Sequence, residues 1–210
     1  MPTVELDIEP RAAFAPYLDR KQRWACMVVH RRGGKTFASI QDLLLKSLTN
    51  RRTGPPTRYA YIAPTRDQAK DIAWGYLTEF AGPIPGTKLN QQELSITLHN
   101  KASIRLYSGD SYERMRGLYF DGVVIDEPAD IDPDAWPSVI RPCLSDYNGW
   151  ATFIGTPKGR NAFYDRWTEA TSSAEWFTML LRASESGILP AGELADRKST
   201  RLNSSHDQRS

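Results

Sequence analysis

Short uninterrupted apolar runs recur along the chain: "ACMVV" (25–29), "YAYIA" (59–63), "GVVID" (122–126), "ATFIG" (151–155) and "EWFTML" (175–180). Runs of this length, rich in β-branched and aromatic residues, predict strands buried on both faces of a sheet. Between them the apolar period changes. "TFASIQDLLLKSL" places Phe37, Ile40, Leu44 and Leu48 at helical spacing, and "RRTGPP" stops that helix. In the next segment Thr65 and Gln68 have the spacing of a capping box, Ile72, Tyr76 and Phe80 form an apolar stripe, and Gly82-Pro83 ends it. "ELSITL" and "ASIRLY" alternate strictly about "HNK", which predicts a hairpin, and further helices are expected opening at "DPDAW" and around "NAFYDRW". Strands alternating with helices define an α/β fold, a mostly parallel sheet between helical layers with a β-hairpin insertion.

Composition narrows the picture only slightly. A length of 210 residues, 40% apolar and 25% charged, suits one soluble domain. A net charge of +2 removes any global basic field as an argument for a nucleic-acid partner, so such a surface has to be local. Cys26 and Cys143 sit in apolar surroundings at unrelated positions, which favours buried thiols in a reducing compartment over a disulfide or metal site. No apolar run approaches the roughly 18 residues of a membrane span, and "MPTVELDIEP" is unlike a signal peptide, so a cytosolic protein is expected. From Lys198 onward "KSTRLNSSHDQRS" has no period and almost no apolar residues; it is expected to be disordered, either as sequence foreign to the natural frame or as a native linker.

The chemistry lies at the strand ends. "HRRGGKT" (30–36) follows the first apolar run and opens the first helix. Gly33, Gly34, Lys35 and Thr36 are the residues of a phosphate-binding loop: backbone N–H groups and a helix N-terminus wrap the phosphates, the lysine reaches the β/γ-phosphates, and the threonine hydroxyl meets Mg²⁺. The front of the loop departs from the usual pattern, with Val29 where a glycine is expected and Arg31 and Arg32 following. "VVIDE" (123–127) ends an apolar strand in two carboxylates, Asp126 suited to the metal shell and Glu127 to orienting and deprotonating water. Taken singly, each stretch also reads as an ordinary turn. In this order, and both on strand ends where open α/β sheets bind ligands, they specify a nucleotide site. "ATFIGTPKG" (151–159) adds Gly155 and Thr156, the latter placed to sense the γ-phosphate and pass the change onward.

With these three motifs, the chain over about residues 11–197 resembles the N-terminal ATPase domain of tailed-phage terminase large subunits. That resemblance implies an ASCE-type P-loop NTPase fold and an ATP- and Mg²⁺-dependent motor driving double-stranded viral DNA into a procapsid. Implied partners are the portal protein, the small terminase subunit and further copies of the same chain in a ring, all in the cytoplasm of the infected host. It makes Arg31 a catalytic arginine, with Arg32 beside it in the nucleotide-binding loop, Gln22 in "DRKQRW" the adenine contact, and Arg116 in "RMRG" a finger reaching a neighbouring subunit's nucleotide. For Gln22 a solvated approach to the first strand fits the residues equally, and for Arg116 a plain surface arginine does. Terminases of this kind carry a C-terminal nuclease domain, and the expectation is that this chain ends before it and does not cut DNA. A helicase-like remodeller shares the lysine loop and the Asp-Glu strand; it would normally add a second motor-like domain.

Overall fold

The computed structural model describes residues 8–188 and residue 192; the segment from Lys198 lies outside the described residues. Eight strands, β1 (Trp24–Val29), β2 (Arg58–Ala63), β3 (Lys88–Asn90), β4 (Ser95–Thr97), β5 (Ser103–Ser108), β6 (Gly122–Asp126), β7 (Trp150–Gly155) and β8 (Trp176–Leu181), form one sheet in the order β3-β4-β5-β2-β6-β7-β1-β8. β4 is antiparallel to β3 and β5, and all other neighbours are parallel. The apolar runs are therefore strands as expected, and the hairpin forms around Lys101 at a left-handed φ of 67°. β3 extends it by a strand that has no apolar run of its own.

The runs are continuous because the sheet is covered on both faces. Along β1, Ala25, Met27 and Val29 enter one core, with Ile40, Leu43 and Leu44 of helix α2 (Lys35–Thr49) and Leu77 and Phe80 from the helix after β2. Cys26 and Val28 enter the other, with Trp136, Ile140 and Phe163, the last on helix α5 (Ala162–Thr171). Both cysteines are buried and free. Among the described residues no helix is long and apolar enough to cross a membrane.

Two helix expectations change. The segment after β2 is helical from α3 (Arg66–Gln68) through a π-helical stretch (Ala69–Trp74) into α4 (Gly75–Ala81), with Thr65 capping Gln68 N as read from sequence. Its buried face, however, is Ala69, Ala73, Leu77 and Phe80, while Ile72 and Tyr76 are 44% and 37% exposed. The stretch opening at "DPDAW" gives no α-helix: a π turn over Trp136–Ile140 and a 3-10 turn over Pro142–Leu144 replace it. Pro137 and Pro142 each lack the N–H that a regular helix would use.

A buried polar network joins three elements under the site. Helix α1 (Ala15–Leu18) brings the Tyr17 hydroxyl to Asp42 Oδ2 at 2.9 Å, and fully buried Arg20 reaches the same oxygen at 2.7 Å and Thr152 Oγ1 at 3.1 Å. Lys46 pairs with Asp42 at 3.1 Å and lies 4.2 Å from the Trp150 ring centroid. α2, which begins at the lysine loop, is thereby pinned to β7.

Candidate functional site

Three motif-bearing strands lie side by side in the sheet, β6-β7-β1, and all three are parallel. Their C-terminal ends consequently bring "HRRGGKT", "DE" and "GTPKG" to one edge, the edge where α/β sheets bind ligands.

The loop is shaped by backbone constraints. A Cβ on Gly33 would stand 2.4 Å from Val29 Cγ1, so only glycine lets the chain turn this closely. Arg32 (φ 63°) and Gly34 (φ 101°) both take left-handed conformations, a reversal that turns successive N–H groups toward one concavity at the start of α2. Arg11 Nη1 donates to Arg32 O at 2.9 Å and bridges the loop to the N-terminal segment.

The acidic pair is held asymmetrically. Tyr61, wholly buried on β2, donates its hydroxyl to Asp126 Oδ2 at 2.5 Å, whereas Asp126 Oδ1 is buried with no partner. Burial raises the Asp126 pKa from its ordinary value even though Tyr61 and Lys35 favour its charge. An orphaned carboxylate oxygen of this kind suits a cation, and Thr36 lies beside the same Tyr61 hydroxyl. Glu127 follows with a left-handed φ of 46°, which turns its side chain off the strand axis. Its carboxylate meets Lys35 Nζ at 3.1 Å and Lys158 Nζ at 3.5 Å, and accepts from Thr156 N at 3.2 Å and Thr156 Oγ1 at 3.0 Å. Burial opposes its charge, but Lys35 and the Thr156 groups overcome this and leave its pKa below the ordinary value. Gly155 has a packing reason: a Cβ there would be 2.7 Å from the Phe163 ring of α5.

Two concavities flank Lys35. One is lined by Arg31, Asp126, Glu127, Asp130, Thr156 and Lys158, and holds the acidic pair. The other, a groove of about 490 Å³, runs from Gly34 and Thr36 past Arg11 and Phe37 to Ile72 and Tyr76. Phe37 meets Tyr76 edge-on, with ring centroids 5.8 Å apart.

Of the residues singled out from sequence, Arg31, Arg32, Gly33, Gly34, Lys35, Thr36, Asp126, Glu127 and Thr156 come together here. Gln22 does not. It lies before the first residue of β1, in a cleft with Arg23 and Glu175, while the loop leaves the other end of that six-residue strand. At roughly 3.3 Å per residue the separation is about 20 Å. Arg116 lies outside both concavities, exposed, with its guanidinium held by Glu113 at 2.8 and 2.9 Å. Tyr61, Lys158, Ile72 and Tyr76 were not legible as site residues: the first reads as core, the second as a spacer inside "GTPKG", and the last two as an apolar stripe.

No protein-family model matches the chain. The large terminase subunit of Thermus virus P23-45 is 32% identical over 165 residues, covering 69% of this chain and 33% of that protein. The corresponding subunit of Escherichia phage T5 is 29% identical over 151 residues, with the same coverage of 69% and 33%. The chain thus spans about a third of the length of the curated relatives it matches. Among solved structures, the Thermus phage P74-26 large terminase ATPase domain superposes with a TM-score of 0.73 at 22% identity, over 93% of this chain and 87% of that one. The HK97 large terminase gives 0.71 at 14% identity, over 91% and 46%. Sequence similarity and shared P-loop fold together place the chain in the terminase large-subunit family.

Proposed function

We propose that this chain binds and hydrolyses ATP with Mg²⁺, as the motor step that moves double-stranded viral DNA into a procapsid. The observation that carries the reading is the pairing of Lys35 with Glu127 at 3.1 Å, beside an Asp126 oxygen that is buried without a partner.

In this reading the N–H groups of Gly33, Gly34 and the first turn of α2 hold the phosphates, and Lys35 turns from Glu127 to the β/γ-phosphates. Thr36 and Asp126 Oδ1 would hold Mg²⁺, and the ion would supply charge neutralisation to the phosphates. Tyr61 occupies Asp126 Oδ2 and so leaves Oδ1 as the oxygen without a partner. Glu127, kept ionised, orients the attacking water and takes its proton, and Arg31 on the hydrolytic side meets the charge that develops. Ile72, Tyr76 and Phe37 offer the nucleoside an apolar wall, with Arg11 opposite. Thr156 bonds directly to Glu127, so a change at the terminal phosphate is transmitted into β7 and α5. Arg116, remote from its own subunit's site, acts on a neighbour's nucleotide. The same reading assigns a homo-oligomeric ring, DNA, portal and small-subunit partners, and the cytoplasm of the infected host.

Lys35→Ala and Glu127→Gln separate binding from chemistry. Lys35→Ala is expected to lose nucleotide binding and turnover together, whereas Glu127→Gln binds ATP and fails to hydrolyse it. Ordinary turnover by Glu127→Gln would refute the assignment.

A further inference from the structure

Lys158 is the one cation of the hydrolytic concavity that the mechanism above leaves unused. It sits two residues beyond Thr156, on the connection between β7 and α5, and β7 lies between the strand that delivers Glu127 and the strand that feeds the lysine loop. Its ammonium group is bound on one side by Glu127 Oε2 at 3.5 Å and on the other by Asp130 Oδ2, on the 3-10 turn Pro128–Asp130. Lys35 holds the opposite oxygen of the same Glu127 carboxylate, Oε1 at 3.1 Å. Two ammonium groups therefore share one carboxylate, and Lys35 leaves it when it engages phosphate. Lys158 is then the ammonium still on that carboxylate, at the oxygen opposite the one Lys35 held.

The surroundings permit the lysine to move. Its side chain is 32% exposed, and the following Gly159 takes φ +80° with open space around it, so the connection is not locked by packing. Burial works against the charge of Lys158, but Asp130 and Glu127 outweigh it and raise its pKa, which keeps the group an ammonium. An ammonium on a flexible stem, held by two carboxylates at the rim of a phosphate site, can exchange partners without desolvating afresh.

We infer that Lys158 is a second cation for the terminal phosphate: it exchanges Asp130 and Glu127 for a γ-phosphate oxygen when a triphosphate occupies the loop. This rests on the ATP-site reading above. It gives the site a means of telling triphosphate from diphosphate, because a diphosphate has no oxygen at that position and leaves Lys158 on its carboxylates. It also frees Glu127 from both lysines only when the γ-phosphate is present, which confines an unencumbered base to the state that needs one.

The test is equilibrium binding of Mg²⁺·ATPγS and Mg²⁺·ADP to the purified chain and to Lys158→Met, Lys158→Arg, Asp130→Asn and Lys35→Ala. Loss of a charge-assisted contact predicts roughly ten- to hundredfold weaker ATPγS binding by Lys158→Met, with ADP changed by less than about twofold. Lys158→Arg is expected to recover most of the ATPγS affinity, and Asp130→Asn to keep or raise it by releasing the lysine. Equal losses for both nucleotides, no loss for either, or a loss of ATPγS binding in Asp130→Asn matching that of Lys158→Met would make the Lys158–Asp130 pair structural and overturn the inference. Lys35→Ala serves as the independent arm. If it weakens both nucleotides while Lys158→Met weakens neither, only the inference falls; if it weakens neither, or if the parent chain binds neither nucleotide, the ATP-site reading falls and takes the inference with it.

Discussion

The Tyr61 hydroxyl donates to one oxygen of Asp126 at 2.5 Å and leaves the other buried without a partner. Tyr61 is itself wholly buried, and its own pKa is driven well above the ordinary value by burial, with Asp126 adding to the effect. The tyrosine is thus a fixed donor that orients the carboxylate.

Tyr61→Phe removes that donor and leaves both Asp126 oxygens short of partners. An unsatisfied buried carboxylate predicts a destabilisation of about 1–3 kcal/mol, to be read as a lowered urea midpoint. Part of this should return on adding Mg²⁺ with ADP, since a cation on Asp126 replaces the lost partner. A variant as stable as the parent, or one that nucleotide and Mg²⁺ do not rescue, would contradict the assigned role.

The groove wall gives a second expectation. Tyr76→Ala takes away an aromatic face, and stacking of a base on such a face contributes roughly 1–3 kcal/mol, so ATP and ADP should each bind about ten- to hundredfold more weakly. Inorganic triphosphate, which has no base, should bind unchanged. Gln22→Ala, at the far end of β1, should leave all three untouched. A fluorescence titration with the three ligands decides the point, and a selective effect at Gln22 would reverse it.

These two residues show what the sequence can carry. The strands were legible because a sheet covered on both faces makes its strands uninterrupted apolar runs, and the motifs were legible because they sit at the ends of those runs. Gln22, offered only through the family resemblance and beside the equal reading of a solvated approach to the first strand, lies where that second reading puts it, because an extended strand separates it from "HRRGGKT". Ile72 and Tyr76 misled because an apolar residue on a helix can face a ligand groove as well as a core. The true core face uses Ala69 and Ala73, whose small side chains give a weak signal. Tyr61 and Lys158 act through one hydroxyl and one ammonium whose partners, Asp126 and Asp130, lie on other segments, and nothing local in the sequence announces such pairings.

The network under the loop predicts a pH effect. Lys46 is held mainly by burial at a pKa of about 8, lowered from the ordinary lysine value despite its pairing with Asp42. A base with a depressed folded-state pKa binds its proton more weakly in the folded chain than in the unfolded one. Its contribution to stability is therefore unfavourable below about pH 8 and is relieved as pH rises toward the unfolded value. Comparing urea midpoints of the parent and Lys46→Met at pH 7 and at pH 9.5 isolates this group. The parent should gain on Lys46→Met as pH rises; a constant difference would show that burial of Lys46 has little effect on its titration.

Arg116 and Lys35 belong to different mechanisms of failure, and mixing them distinguishes the two. On the proposed reading, Lys35→Ala is expected to spoil the nucleotide site of its own subunit, while Arg116, exposed and outside both concavities, is expected to act only across a subunit boundary. Its present partner, Glu113, is exposed as well, so breaking that pair costs little. Arginine fingers supplied in trans raise turnover by about 10³- to 10⁵-fold, which makes even partial complementation measurable. Each single variant should be nearly inactive under assembling conditions. In a mixed ring, an Arg116→Ala subunit retains an intact nucleotide site and receives an arginine from a Lys35→Ala neighbour, so ATPase activity should reappear and peak at intermediate mixing ratios. With assembly verified, flat, near-zero activity at every ratio would remove Arg116 from the site and leave its pairing with Glu113 as a surface feature.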